Sequence, residues 1–133
     1  MTNELEKQFF DTFGIEPITH AVWDSTETKW KNFESWEEYP PITDSILLGL
    51  EEIFAHKKIN GAGFFDGFHV EKHDDYWIYQ LTYYKGGYYT CGFGKTRKEA
   101  FLNQLITILN DKEVEEKEKQ LVKHQVRTLF EER

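Results

Sequence analysis

Three cations, Lys95, Arg97 and Lys98, crowd the start of an amphipathic stretch just behind the turn Gly92-Phe93-Gly94. A helix that begins there offers free backbone N–H groups and the positive end of its dipole. Together with the three cations these could hold a phosphate or an acidic side chain. A first helical turn ordinarily favours acids, so Arg97 and Lys98 oppose local stability, and that conflict marks the segment as a candidate site. The alternative is a well-capped surface turn, because Thr96 and Glu99 have the spacing of a Thr-x-x-Glu capping box. Nearby, Trp77, Tyr79, Leu81 and Tyr83 alternate along one face of an aromatic run. If that face is open, its rings could stack on a base or nucleotide. If it is covered, they are core or a subunit or partner interface, where Tyr and Trp are enriched. Lys95, Arg97, Lys98, Trp77 and Tyr79 are therefore the candidate residues for capture of an anionic small ligand.

A second candidate is acidic. Residues 1–60 carry 12 acidic and 5 basic side chains, a net of -7 out of -8 for the whole chain. Trp30, Glu34, Trp36, Glu37 and Glu38 combine large anchors with carboxylates, as a surface that mimics nucleic-acid phosphates or blocks a basic groove would. The same acidity argues against wholesale binding to nucleic-acid phosphates.

Other chemistry finds no support. The glycines of Gly61-Ala62-Gly63-Phe64-Phe65-Asp66-Gly67 miss the dinucleotide spacing by one position and precede strands instead of joining a strand to a helix. His69 and His73 share a face of an extended strand but lie about 13 Å apart, so a metal ion would need a bend to reach both. Cys91, the single cysteine, sits mid-strand and reads as a small core side chain; a nucleophilic role would need a base such as His69 beside it. No pair of carboxylates stands in a catalytic context. No catalytic motif, metal or cofactor is indicated.

The elements that must position these groups follow from periodicity. Asn3 and Glu6 form a capping box for a short helix over residues 4–13, whose stripe is Leu5, Phe9 and Phe13, stopped by Gly14 and Pro17. From Ile18 to Pro41 no period is visible, which suits a long loop or short irregular strands. A helix over 44–58 buries Ile46, Leu47, Leu50, Ile53 and Phe54. Strands are expected over 68–73, 76–84 and 88–93, with Asp74-Asp75 and Lys85-Gly86-Gly87 as turns. The middle strand is so rich in aromatic and β-branched residues that both its faces look covered. A helix over 96–110 follows, and then a charged helix over 113–131. The first turns of that last helix, including Glu118, read as solvated. Its end is amphipathic through Leu121, Val122, Val126, Leu129 and Phe130, a stripe that packs on the domain or on a second copy in a homo-oligomer. The expectation is α+β, with an antiparallel meander of three strands or slightly more packed with helices. Residues 1–110 form one domain and 111–133 an appended C-terminal helix.

With 133 residues, the chain has room for one domain. No apolar run approaches the ~20 residues of a membrane span, and no signal-peptide core follows Met1. A single cysteine excludes an internal disulfide framework. A cytosolic setting is expected.

Two resemblances add to this reading. Thr96-Arg97-Lys98-Glu99-Ala100 resembles the opening of the final helix of a double-stranded RNA-binding domain. However, Phe101 replaces that pattern's last lysine, Asn103 and Gln104 stand where small residues are expected, and the net charge has the wrong sign, so double-stranded RNA is not the expected partner. Three further stretches resemble uncharacterised small phage and prophage proteins of low-GC Gram-positive bacteria. They are Phe10-Asp11-Thr12-Phe13-Gly14-Ile15-Glu16-Pro17, Tyr39-Pro40-Pro41-Ile42-Thr43-Asp44-Ser45-Ile46-Leu47-Leu48 and Gln125-Val126-Arg127-Thr128-Leu129-Phe130-Glu131-Glu132. The hairpin with Gly94-Lys95-Thr96-Arg97-Lys98-Glu99-Ala100-Phe101-Leu102 is similar to small phage α-β-α sandwich domains. The resemblance implies a cytoplasmic protein of an infected or lysogenic bacterial host, with its sheet between helical layers. In that setting the acidic N-terminal part leads to the expectation of a non-catalytic accessory protein that binds a host or phage protein, for instance as an inhibitor of a host defence system.

Overall fold

Asn3 and Gly14 bracket the first helix as the sequence requires. In the computed structural model, which describes residues 2–24, 29–55, 65–83 and 88–132, α1 runs Glu4–Phe13. Asn3 Oδ1 accepts from the Glu6 N–H at 2.8 Å, and Glu6 Oε1 accepts from the Asn3 N–H at 3.2 Å, which satisfies two otherwise orphaned donors. Gly14 takes a left-handed φ of 71°, letting its own N–H close onto Asp11 O while that of Ile15 closes onto Phe10 O. The helix buries Phe10 as well as Phe9 and Phe13. Phe10 stacks on Tyr39 at 5.0 Å and meets the edge of Phe130 at 5.5 Å.

The segment expected to be a loop or short irregular strands is an antiparallel pair, β1 (Ile18–Asp24) and β2 (Lys29–Glu38). Its register shifts between His20 and Val22. A bulge there resets the alternation between faces, so no unbroken period of two exists for the sequence to display. Helix α2 (Asp44–Ala55) opens with Thr43 Oγ1 accepting from the Ile46 N–H and buries Ile46, Leu50, Ile53 and Phe54. Its expected last turn, through Lys58, lies outside the described residues, as do the Gly61–Gly63 glycines and the Lys85-Gly86-Gly87 turn.

The meander is present: β3 (Phe65–Lys72), β4 (Trp77–Tyr83) and β5 (Tyr88–Gly94), all antiparallel, with β4 central. The fold is α+β: the described residues form two sheets, of two and three strands, and four helices. One face of the larger sheet, through Tyr79 and Leu81, is sealed by α2 and α3 (Arg97–Asn110). The other face is open: His69 and Glu71 are exposed, Phe93 is 56% exposed and Ile78 is half-buried. Among the described residues, neither the fully covered central strand nor the sheet between two helical layers is therefore found. Both helical layers lie on the same side, with α1 packed on α3 and α4 (Glu116–Glu131) packed on α2 and α1.

Helix α4 starts at Glu116, and its buried line is Glu118, Val122, Val126 and Phe130. Glu118, expected in solvated turns, is 5% exposed because it lies one helical turn before Val122 on the same face. Leu121, expected in the stripe, falls off that line and is exposed. No helix among the described residues is long and apolar enough to cross a membrane.

Helix α3 approaches β5 so closely that a Cβ at Gly92 would fall on the helix backbone at Ala100 O and Gln104 N. Backbone cannot yield as a flexible side chain does. Gly92→Ala is expected to destabilise the protein by about 3 kcal/mol or more, read as a lowered midpoint in urea unfolding with an unchanged slope.

Candidate functional site

The basic turn is built as a helix cap. Thr96 Oγ1 accepts from the Glu99 N–H at 3.1 Å, while Glu99 Oε2 reaches past Thr96 to the Lys95 N–H at 3.3 Å. Beyond the cap the cations diverge. The Arg97 guanidinium turns toward α2 and pairs with Glu51 at 2.7 Å, 5.9 Å from the centre of the Tyr79 ring. Lys98 turns toward α1, its Nζ 3.1 Å from Glu6 Oε2 and 3.5 Å from Ile42 O. Lys95 is exposed. The apparent conflict of cations in a first turn is thus resolved by carboxylates brought from two other helices.

Tyr79 is fully buried, packed on Phe101 at 4.5 Å with its hydroxyl 3.5 Å from Glu51 Oε1. Burial, and then the neighbouring Glu51 carboxylate, push its pKa far above the usual phenol range, with Arg97 opposing. Tyr79 is therefore core and cannot stack on a ligand. Trp77 is half-buried, with the Lys72 ammonium 5.7 Å from its ring centre. The structure does not gather Lys95, Arg97, Lys98, Trp77 and Tyr79 around a common opening.

His69 and His73 do approach each other, through a residue whose part the sequence did not reveal. Glu71 lies between them on the same face of β3, with Oε1 2.9 Å from His69 Nε2 and Oε2 3.1 Å from His73 Nε2. These hydrogen bonds, from His69 first and then His73, hold the Glu71 carboxyl below the usual carboxylate range. The His73 ring stacks on Tyr76 at 4.8 Å. Among the described residues, no group of His, Cys, Asp and Glu is set to hold a metal ion. Cys91 faces the same side, paired through Gln80 with His69 in the ladder. Two strand spacings, about 10 Å, separate the two backbone positions, and burial pushes the Cys91 thiol pKa up, away from thiolate character.

The acidic candidate lies partly within view. Trp30, Glu34 and Trp36 are positions of β2, where Trp30 pairs with Trp23 and Trp36 with His20, but their side chains lie outside the described part. Glu37 and Glu38 are exposed at the end of β2, opposite Thr19 and Ile18. Next to them Tyr39-Pro40-Pro41 lines two grooves. One, of about 650 Å³, runs between Gly14–Ile18 and the end of α4, and includes Glu38, Arg127, Phe130 and Glu131. The other, of about 1250 Å³, is bordered by Glu6, Lys7, Thr19, Glu37, Ile42 and Lys98. Sequence reasoning missed Glu16, Ile18, Arg127 and Glu131, because chain-distant residues joined only by folding leave no local signal.

Compared with known proteins, the chain matches no family model, no curated protein and no solved structure.

If Arg97 is a structural partner of Glu51, the Arg97→Ala and Glu51→Ala changes should be coupled in a double-mutant cycle by about 1 kcal/mol, measured by urea unfolding. Additive effects would instead leave Arg97 available to a ligand. Because the Glu71 pKa is lowered in the folded state, its contribution to stability is complete above the ordinary carboxylate range and disappears as pH falls through the lowered value. The Glu71 side-chain carbon followed by NMR should titrate below an ordinary glutamate, and should return to the ordinary value when both His69 and His73 are changed to Ala.

Proposed function

We propose that the protein is a non-catalytic accessory protein of a bacterial mobile element. It acts in the host cytoplasm by binding a host or phage protein through its acidic N-terminal part, as an inhibitor of a host defence system would. The observation that carries this reading is the grouping of exposed Glu16, Glu38 and Glu131 around one groove with an Ile18 that is 66% exposed, with exposed Glu37 next in the strand. Acids around an apolar anchor suit a partner surface of opposite charge, where complementarity steers encounter and sets specificity. Capture of an anionic small ligand has less in its favour, because Arg97 and Lys98 already meet Glu51 and Glu6.

The test is capture from a Gram-positive host lysate at moderate salt, with the full chain and its Glu34→Lys, Glu37→Lys, Glu38→Lys variant as parallel baits. A stoichiometric protein held by the former and released by added salt should bind the variant about tenfold or more weakly. A partner held equally by both, or no partner, would overturn the reading.

A further inference from the structure

The smaller groove is lined by Tyr39 and Phe130, and both rings pack against Phe10. Both rings are thus tied to α1 and α4, so the cavity is preformed and does not have to be opened by an occupant. Ile15 and Ile18 line it as well, and Ile18 leaves 66% of its surface in water. An isoleucine that exposed, beside a cavity lined mainly by apolar atoms, is the surface expected of a contact site and not of a closed core.

The charges around it are unbalanced. Among the described residues that line it, Glu16 and Glu131 stand against one cation, Arg127, an acidic excess at the rim that does not depend on Glu38. An occupant must therefore bring an apolar group for the cavity and positive charge for the rim. We infer that this groove docks a segment of a partner protein in which a large apolar side chain is flanked by lysine or arginine. The inference rests on the reading that the chain works by binding a protein, and it names the chemistry of the bound part.

The probe is a short fluorescent peptide with Leu-Phe at its centre and lysines on both sides, compared with a peptide in which Ser-Ser replaces Leu-Phe at the same charge. Fluorescence anisotropy with the full chain should show the serine peptide binding about tenfold or more weakly, since burying a large apolar side chain is worth at least that ratio. Ile18→Glu separates the two contributions. It adds negative charge, so simple charge attraction would tighten binding, whereas groove docking requires weakening of about tenfold. Ile18 is exposed, and unchanged far-UV circular dichroism checks that the variant folds. Glu16→Lys with Glu131→Lys should weaken the Leu-Phe peptide by a similar factor. Equal binding of the two peptides, undiminished binding to Ile18→Glu, or no binding of the Leu-Phe peptide would each overturn the inference. A lysate partner lost on reversal of Glu37 and Glu38 but retained by Ile18→Glu would overturn the groove alone and leave the binding reading intact.

Discussion

Helix α3 lies against β5 with no room for a methyl group at position 92, and that close approach governs much of what surrounds it. It brings Phe101 onto Tyr79 and carries the Gln104 amide oxygen to within 3.4 Å of the Leu81 backbone N–H inside the core. A buried amide without such a partner would cost stability, so helix and sheet are held in one register by polar as well as apolar contacts. The same placement aims the first turn of α3 between α1 and α2. Arg97 then meets Glu51 and Lys98 meets Glu6. A cluster of positive charge that looks available in the linear chain is thereby divided among neighbouring helices.

The aromatic joint of Phe10, Tyr39 and Phe130 has a comparable part on the other side of the molecule. It fastens the exit from β2 to the helical core. The exposed carboxylates at the end of that strand therefore stand next to α4, although nearly a hundred residues separate Glu38 from Glu131. The proposed docking surface is a product of this joint: α1 supplies the aromatic backing, the turn into β1 supplies Ile18, and α4 supplies Phe130 and an acidic rim. The open face of the three-stranded sheet is a different kind of surface. There, Glu71 is shared by two imidazoles and Tyr76 stacks on His73, so its polar groups satisfy one another.

Local chemistry was enough to place the starts of α1, α2 and α3 and the meander. Asn3 with Glu6, and Thr96 with Glu99, cap helices through contacts three residues apart, and alternation marked β3 to β5; signals of this range survive in the linear chain. The β1–β2 pair was not legible, because a register shift breaks its alternation and strand pairing is settled by the partner strand. Glu118 was misplaced for a related reason: one charged residue on an otherwise apolar line looks solvated until the neighbouring helices bury that line. The sequence by itself determined the α+β composition, the caps and the concentration of acid in the first 60 residues. Only the tertiary structure decided which face of the sheet is covered, which cations are already paired and that Ile18 and Phe130 line one groove. Those are contacts between distant segments, and their energies depend on packing that no local pattern encodes.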